Sequence, residues 1–185
     1  YKRQTYDSHI EQLSQHVNVL TIDLPGHGKD TSDMNDTWDF PYIAHALDEV
    51  LSQYDMYDVY LLGYSMGGRV ALYYALNGSV ALRGLLLEST SAGIQSEADK
   101  VERVQVDAAR AKVLEIAGLE IFVNDWEKLP LFRSQYELDA EVRKAIRANR
   151  MSQNPVRLAK ALRDYGTGNM PVSYTHLRAH ETEAD

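Results

Sequence analysis

The side chain with the clearest chemical potential in this sequence is Ser65, within the run Gly63-Tyr64-Ser65-Met66-Gly67. The run matches G-x-S-x-G, in which an apolar strand leads into a serine and a helix leaves it. Apolar residues from Val59 to Gly63 precede the serine, and a helical pattern from Met66 to Leu76 follows, closed by Asn77-Gly78. A serine on so tight a strand-to-helix turn needs neighbours without bulk, which the glycines supply. The first turn of a helix leaves backbone N–H groups unpaired, so the Met66 N–H is a candidate oxyanion donor. Two other readings compete: a glycine-rich turn whose serine merely caps the helix, and a phosphate-binding loop. The latter lacks both G-x-G-x-x-G and the Walker lysine.

Arg69 follows in the first turn of the same helix. A cation there opposes the helix dipole, which favours anions at that end. Kept beside a nucleophile, it points to an anionic substrate, and a carboxylate suits its bidentate fork. The alternative is a surface arginine paired with a nearby acid. A serine hydroxyl also needs a base. In the G-x-S-x-G arrangement the acid and then the histidine follow the serine in chain order. The histidines after Ser65 are His176 and His180, whereas His9, His16, His27 and His45 precede it. His27, in a glycine-rich loop, reads as a loop residue rather than a base.

The elements that must position this serine alternate. Val17 to Ile22 reads as a short buried strand, stopped by Asp23-Leu24-Pro25-Gly26-His27-Gly28. Tyr6 to Leu13 is weakly helical. Asp39 is an N-cap with Pro41 in the first turn, and Phe40, Ile43, Leu47, Val50, Leu51 and Tyr54 follow at helical spacing. Val59 to Gly63 and Leu85 to Leu87 complete three apolar strands, which predicts a parallel α/β sheet covered on both faces. From Glu97 to Tyr165 the pattern is helical, with Val101, Val104, Ala108 and Ala111 as a buried stripe and Gly118 as a stop. Further helices are expected over Leu119 to Trp126, Asp139 to Arg150, and from Asn154-Pro155 to Gly166. The expected organisation is a partial α/β core over 1–94, a helical cap over 95–165 and a return toward the core over 166–171.

Composition narrows the function. The chain has 185 residues, no cysteine, and 19 Lys and Arg against 27 Asp and Glu, for a net charge of −8. This excludes a disulfide scaffold and thiolate metal sites, and it fits a reducing, cytoplasmic compartment. No basic stripe is available for nucleic acid. The most apolar stretch, Val59 to Leu76, is interrupted by Ser65, glycines and Arg69, so no membrane span is expected. No cluster of ligands at metal spacing is present, and no cofactor is expected. The sequence starts at Tyr1, and its last segment, VSYTHLRAHETEAD from Val172 to Asp185, has neither strand alternation nor a helical stripe. The first eleven residues of that segment resemble one reading frame of a sequencing adapter. We therefore read residues 172–185 as a non-native tail and the remainder as an internal piece of a longer gene.

Asp23 to Gly28, the run Gly63 to Arg69, Phe122-Val123-Asn124-Asp125-Trp126, and Arg150-Met151-Ser152-Gln153-Asn154 before Leu158-Ala159 together carry a resemblance. The chain resembles the α/β-hydrolase superfamily and, within it, the 2-succinyl-6-hydroxy-2,4-cyclohexadiene-1-carboxylate synthase family of menaquinone biosynthesis. The resemblance covers Tyr1 to Pro171. It implies that Ser65 is the triad serine, with Tyr64 beside it in the pocket and Met66 giving an oxyanion N–H. It implies that Arg69, Arg103 and Arg150 bind carboxylates of a small polycarboxylate substrate and that Trp126 lines the pocket. Without the family, Arg103 and Arg150 read as solvated helix charges and Trp126 as core. The implied reaction is a lyase elimination of pyruvate with serine as base and no metal or organic cofactor. The triad acid, the triad histidine and an upstream oxyanion loop are expected outside the chain, so the 185 residues alone are expected to be inactive. A carboxylesterase or carbon–carbon hydrolase of the same fold, or a non-catalytic ligand-binding module, are the other readings. Oligomeric state is not legible.

Overall fold

A computed structural model describes residues 7–54 and 56–171 of the chain. The tail assigned to residues 172–185, with His176 and His180, lies outside the described residues. Helix α1 (Asp7–Leu13) is followed by extended chain, a loop and α2 (Phe40–Leu51). Strand β1 (Tyr60–Tyr64), α3 (Met66–Asn77) and β2 (Gly84–Glu88) form one β-α-β unit. The helical remainder comprises α4 (Glu97–Ile116), α5 (Gly118–Trp126), a 3₁₀ segment (Pro130–Glu137), α6 (Ala140–Met151) and α7 (Pro155–Tyr165).

Helix boundaries follow local chemistry. Asp39 accepts from the Tyr42 N–H at 2.8 Å, with Pro41 in the first turn of α2. Ser96 opens α4 and Asn154 opens α7 by the same device. Gly118, at φ +83°, separates α4 from α5. The apolar stripe of α2 buries Phe40, Ile43, Leu47 and Leu51, as its spacing requires.

The two strands pair in parallel, from Tyr60 opposite Gly84 to Tyr64 opposite Glu88. Leu61 and Leu85 pack against a core of Trp38, Phe40, Ile43, Leu47, Tyr74 and Tyr165. Leu62 and Leu86 point away from it and are exposed, so among the described residues only one face of the sheet is covered. Residues 17–22 are the second departure: they form no ladder, and Val17 and Leu20 are exposed. A β-branched run supplies strand propensity, but a strand exists only when a neighbour takes its N–H and C=O groups. The stripe expected on α4 is the third. Val101, Val104 and Ala108 are exposed, and the buried face carries Asp107, Ala111 and Leu114. Here α7 and α5 approach from the other side, placing Ala159 and Leu162 against Ala111 and Leu114.

Helix α7 joins the two halves. Its Ala161 and Tyr165 belong to the main core, whereas Ala159 belongs to the cluster on α4. It also grips the loop before α2. The Asp164 carboxylate accepts from the Trp38 N–H at 2.9 Å, and the Arg157 guanidinium pairs with Asp30 and lies 5.0 Å over the Trp38 ring; just before the helix, the Gln153 side-chain carbonyl accepts from the Gly28 N–H at 3.0 Å.

Candidate active site

Ser65 sits between β1 and α3 at φ 52°, ψ −114°. A positive φ in a residue with a Cβ is strained by about 1–3 kcal/mol and persists only where its surroundings impose it. Those surroundings come from the end of β2. The Ser65 N–H donates to the Glu88 carbonyl at 2.9 Å, and the Thr90 hydroxyl donates to the Ser65 carbonyl at 2.7 Å. Close packing completes the turn. A Cβ on Gly63 would lie 2.5 Å from the Gly67 carbonyl and 2.6 Å from the Gly68 Cα, and one on Gly68 would lie 2.6 Å from the Thr90 Cβ. Gly67, the second glycine of the motif, has nothing within 4 Å of that position. The steric demand therefore falls on Gly63 and Gly68.

The serine side chain makes no capping hydrogen bond to α3, unlike Asp39, Ser96 and Asn154 at their helices. This removes the reading in which Ser65 is an N-cap. Its hydroxyl is therefore not spent on the first turn of α3, whose N–H groups lack intrahelical partners. Tyr64 ends β1, Met66 opens α3 and packs partly into the main core, and Arg69 lies one turn further with its Nε out of contact with solvent.

Arg103, Trp126 and Arg150 lie on the helical cap, and one run of contacts connects them. The Arg103 Nε donates to both oxygens of the buried Asp107, each at 3.0 Å. Arg110 reaches Asp107 at 3.4 Å and lies 5.3 Å over the Trp126 ring. Trp126 meets Phe132 at 5.8 Å, and Arg150 lies 4.7 Å over the other side of this cluster, on the Phe132 ring. Arg150 donates to Glu127 at 3.0 Å and to Gln135 at 2.8 Å. Neither arginine is merely a solvated helix charge, and Trp126 is half-buried rather than core. One cleft lies between α4 and α7 and another between the 3₁₀ segment and α6, and the elbow residues line neither.

Sequence reasoning passed over Thr90, Glu127, Phe132 and Gln135, and gave Asp107 no role. Only Asp107 left a signal, an acid four residues after Arg103 and three before Arg110, within reach of both on one helix face. His27 is engaged within its own loop and by α7. Its Nδ1 lies 3.1 Å from the Pro25 carbonyl and 3.0 Å from the Tyr165 hydroxyl. Burial holds the His27 ring well below its ordinary pKa and pushes the Tyr165 phenol well above its own. Among the described residues no three His, Asp or Glu side chains are grouped to hold a metal, and no helix is long and apolar enough to cross a membrane.

A parallel β-α-β unit with a strained serine at its strand-to-helix turn defines a class, and residues 5–183 match the alpha/beta hydrolase fold family. The chain belongs to that family. Within it, the chain is 34% identical over 169 residues to a Bacillus subtilis (strain 168) protein named putative 2-succinyl-6-hydroxy-2,4-cyclohexadiene-1-carboxylate synthase. That alignment covers 91% of this chain and 62% of the relative, so the chain spans about three fifths of its length. Among solved structures, MenH from S. aureus is similar at a TM-score of 0.91 with 58% identity, covering 92% of this chain and 64% of that one. A thermophilic esterase from Thermogutta terrifontis, solved with malate bound, is similar at a TM-score of 0.74 and 25% identity, covering 92% of this chain and 60% of the esterase.

Proposed function

We propose that this chain carries the nucleophile elbow and helical cap of a cytoplasmic lyase of menaquinone biosynthesis. Its substrate would be 2-succinyl-5-enolpyruvyl-6-hydroxy-3-cyclohexene-1-carboxylate, and the product 2-succinyl-6-hydroxy-2,4-cyclohexadiene-1-carboxylate. In this reading Ser65 Oγ, activated by a histidine, removes the proton next to the succinyl ketone. Charge flows through the ring alkene, the carbon–oxygen bond to the enolpyruvyl group breaks, and pyruvate leaves. The Met66 N–H stabilises the enolate oxygen, Tyr64 and Trp126 line the pocket, and Arg69, Arg103 and Arg150 take the carboxylates. The core is taken as residues 1–94 and the cap as 95–165.

The observation that carries this reading is the backbone of Ser65, strained and pinned to β2 with its hydroxyl not spent on capping. The 58% identity to MenH supports the choice of reaction. The 185 residues alone are proposed to be inactive. His9, His16 and His45 are exposed, and His27 is engaged by Pro25 and Tyr165. The test is pyruvate release from the enolpyruvyl substrate by the whole protein and by this chain. The whole protein should turn over, with Ser65→Ala at least about a thousandfold slower. This chain should not exceed the Ser65→Ala rate. Undiminished turnover in whole-protein Ser65→Ala would remove the serine from the mechanism. A carboxylesterase reading draws support from the likeness to the malate-bound esterase. Hydrolysis of neutral p-nitrophenyl esters without pyruvate release would favour it.

A further inference from the structure

One buried carboxylate in the cap is spent entirely on arginines. Asp107, on α4, is 2% exposed. Gly166, just after α7, passes so close that a Cβ there would lie 2.7 Å from the Asp107 Oδ2. The chain thus closes over this face of α4 and shields the carboxylate from water. A shielded charge is costly unless it is paired, and a pair is stronger where water is excluded. Both partners come from the same helix, one turn to either side. The Arg103 Nε donates to both carboxylate oxygens at 3.0 Å, and the Arg110 Nη1 reaches Oδ1 at 3.4 Å.

This contact uses a particular part of Arg103. A guanidinium has five N–H donors, one on Nε and two on each Nη. Asp107 takes the Nε–H, whereas Nη1 and Nη2 make no hydrogen bond or ion pair among the described residues. The Arg103 side chain is 36% exposed while that of Asp107 is 3% exposed. The anchored atom is therefore at the shielded end and the unspent pair at the open end. That pair is the fork with which an arginine grips a carboxylate through two parallel bonds. Holding Nε beforehand lowers the entropy lost when the carboxylate arrives. The same anchor restrains Arg110, which lies 5.3 Å over the Trp126 ring.

We propose that Asp107 is a positioning residue: by holding the Arg103 Nε it presents the two Nη groups to a substrate carboxylate. The proposal rests on the reading above, in which Arg103 binds the substrate. The test combines pyruvate-release kinetics with side-chain ¹⁵N spectra of the whole protein. Asp107→Asn keeps the volume and one acceptor but removes the charge. It should raise KM at least about tenfold and leave kcat within about threefold, since the carboxylate contact serves substrate and transition state alike. Arg103→Lys, which lacks the fork, should also raise KM. The double variant should match Arg103→Lys to within about twofold, because Asp107 acts through Arg103. Without any turnover, the Arg103 Nε–H resonance should exchange slowly in the wild type and be lost to solvent exchange in Asp107→Asn. A cooperative urea transition should persist in that variant. A fall in kcat at unchanged KM, multiplied KM effects in the double variant, a rapidly exchanging wild-type resonance, or loss of the cooperative transition in Asp107→Asn would each overturn the proposal. A wild type that releases no pyruvate yet keeps the slow resonance would sink the lyase reading and uphold the hold of Asp107 on Arg103.

Discussion

The elbow region and the helical cap are held together by different forces. Around Ser65 the chain is fixed by apolar burial and close backbone packing: Trp38, Ile43 and Tyr74 are almost wholly shielded, and Gly63 and Gly68 leave no room for a Cβ. At helix α6 of the cap no residue is buried, and charged side chains make the connection to the preceding segment, through Arg147–Glu127–Arg150. Apolar burial and steric exclusion are insensitive to salt and pH, whereas ion pairs are screened and partly offset by desolvation.

The sharpest break in this contrast is a pair of truncations. Trp38→Ala empties a fully buried site and removes the Nε1–H donation to the Asp33 carbonyl at 2.9 Å. A loss of about 3–5 kcal/mol is expected. Val142→Ala on exposed α6 should stay within about 0.5 kcal/mol. Urea unfolding of both reads the difference, and similar midpoints would mean that the cap is as tightly packed as the core.

A smaller effect separates the two glycines of the motif. Gly63→Ala forces a Cβ against the Gly67 carbonyl and should cost about 1–3 kcal/mol. Gly67→Ala meets open space within α3 and should be neutral or stabilising by up to about 1 kcal/mol. If both destabilise equally, packing does not decide which glycine the turn needs.

The smallest expected effect is a pH slope located at the seam between the regions. Burial holds His27 neutral well below its ordinary value of 6.5. As pH falls below 6.5 the unfolded chain therefore binds more protons than the folded one, and stability drops. Asp30 adds a later loss. Burial raises its pKa, but hydrogen bonds from Ser32, Gly26 and Arg157 outweigh that and hold it below 3.8, so its contribution fades only as it protonates. The urea midpoint should fall from pH 7 to pH 5, and His27→Gln should flatten that fall. Parallel slopes in the two proteins would exclude His27 as the cause.

Much of the site was legible locally. The serine turn, the N-caps at Asp39 and Asn154 and the break at Gly118 were all readable, because each depends on residues within a turn of one another. Val17 to Ile22 misled because strand propensity is local while ladder partners are not. The α4 stripe misled because burial goes to the face that α5 and α7 cover, and the apolar spacing alone does not choose that face. The arginines were legible as residues but not as a network. Asp107, Glu127 and Gln135, which hold Arg103 and Arg150, come from positions up to 23 residues distant.

The sequence by itself determined the serine's turn and the helical character of 97–165, since backbone stereochemistry and side-chain periodicity act over a few residues. Tertiary structure alone decided that the end of β2 pins the elbow through Glu88 and Thr90. It alone decided that α7 joins cap to core through Trp38, Asp30 and Pro25. These contacts bring together groups as many as 140 residues apart. Such pairings arise only when packed elements exclude water and leave each buried polar group one available partner.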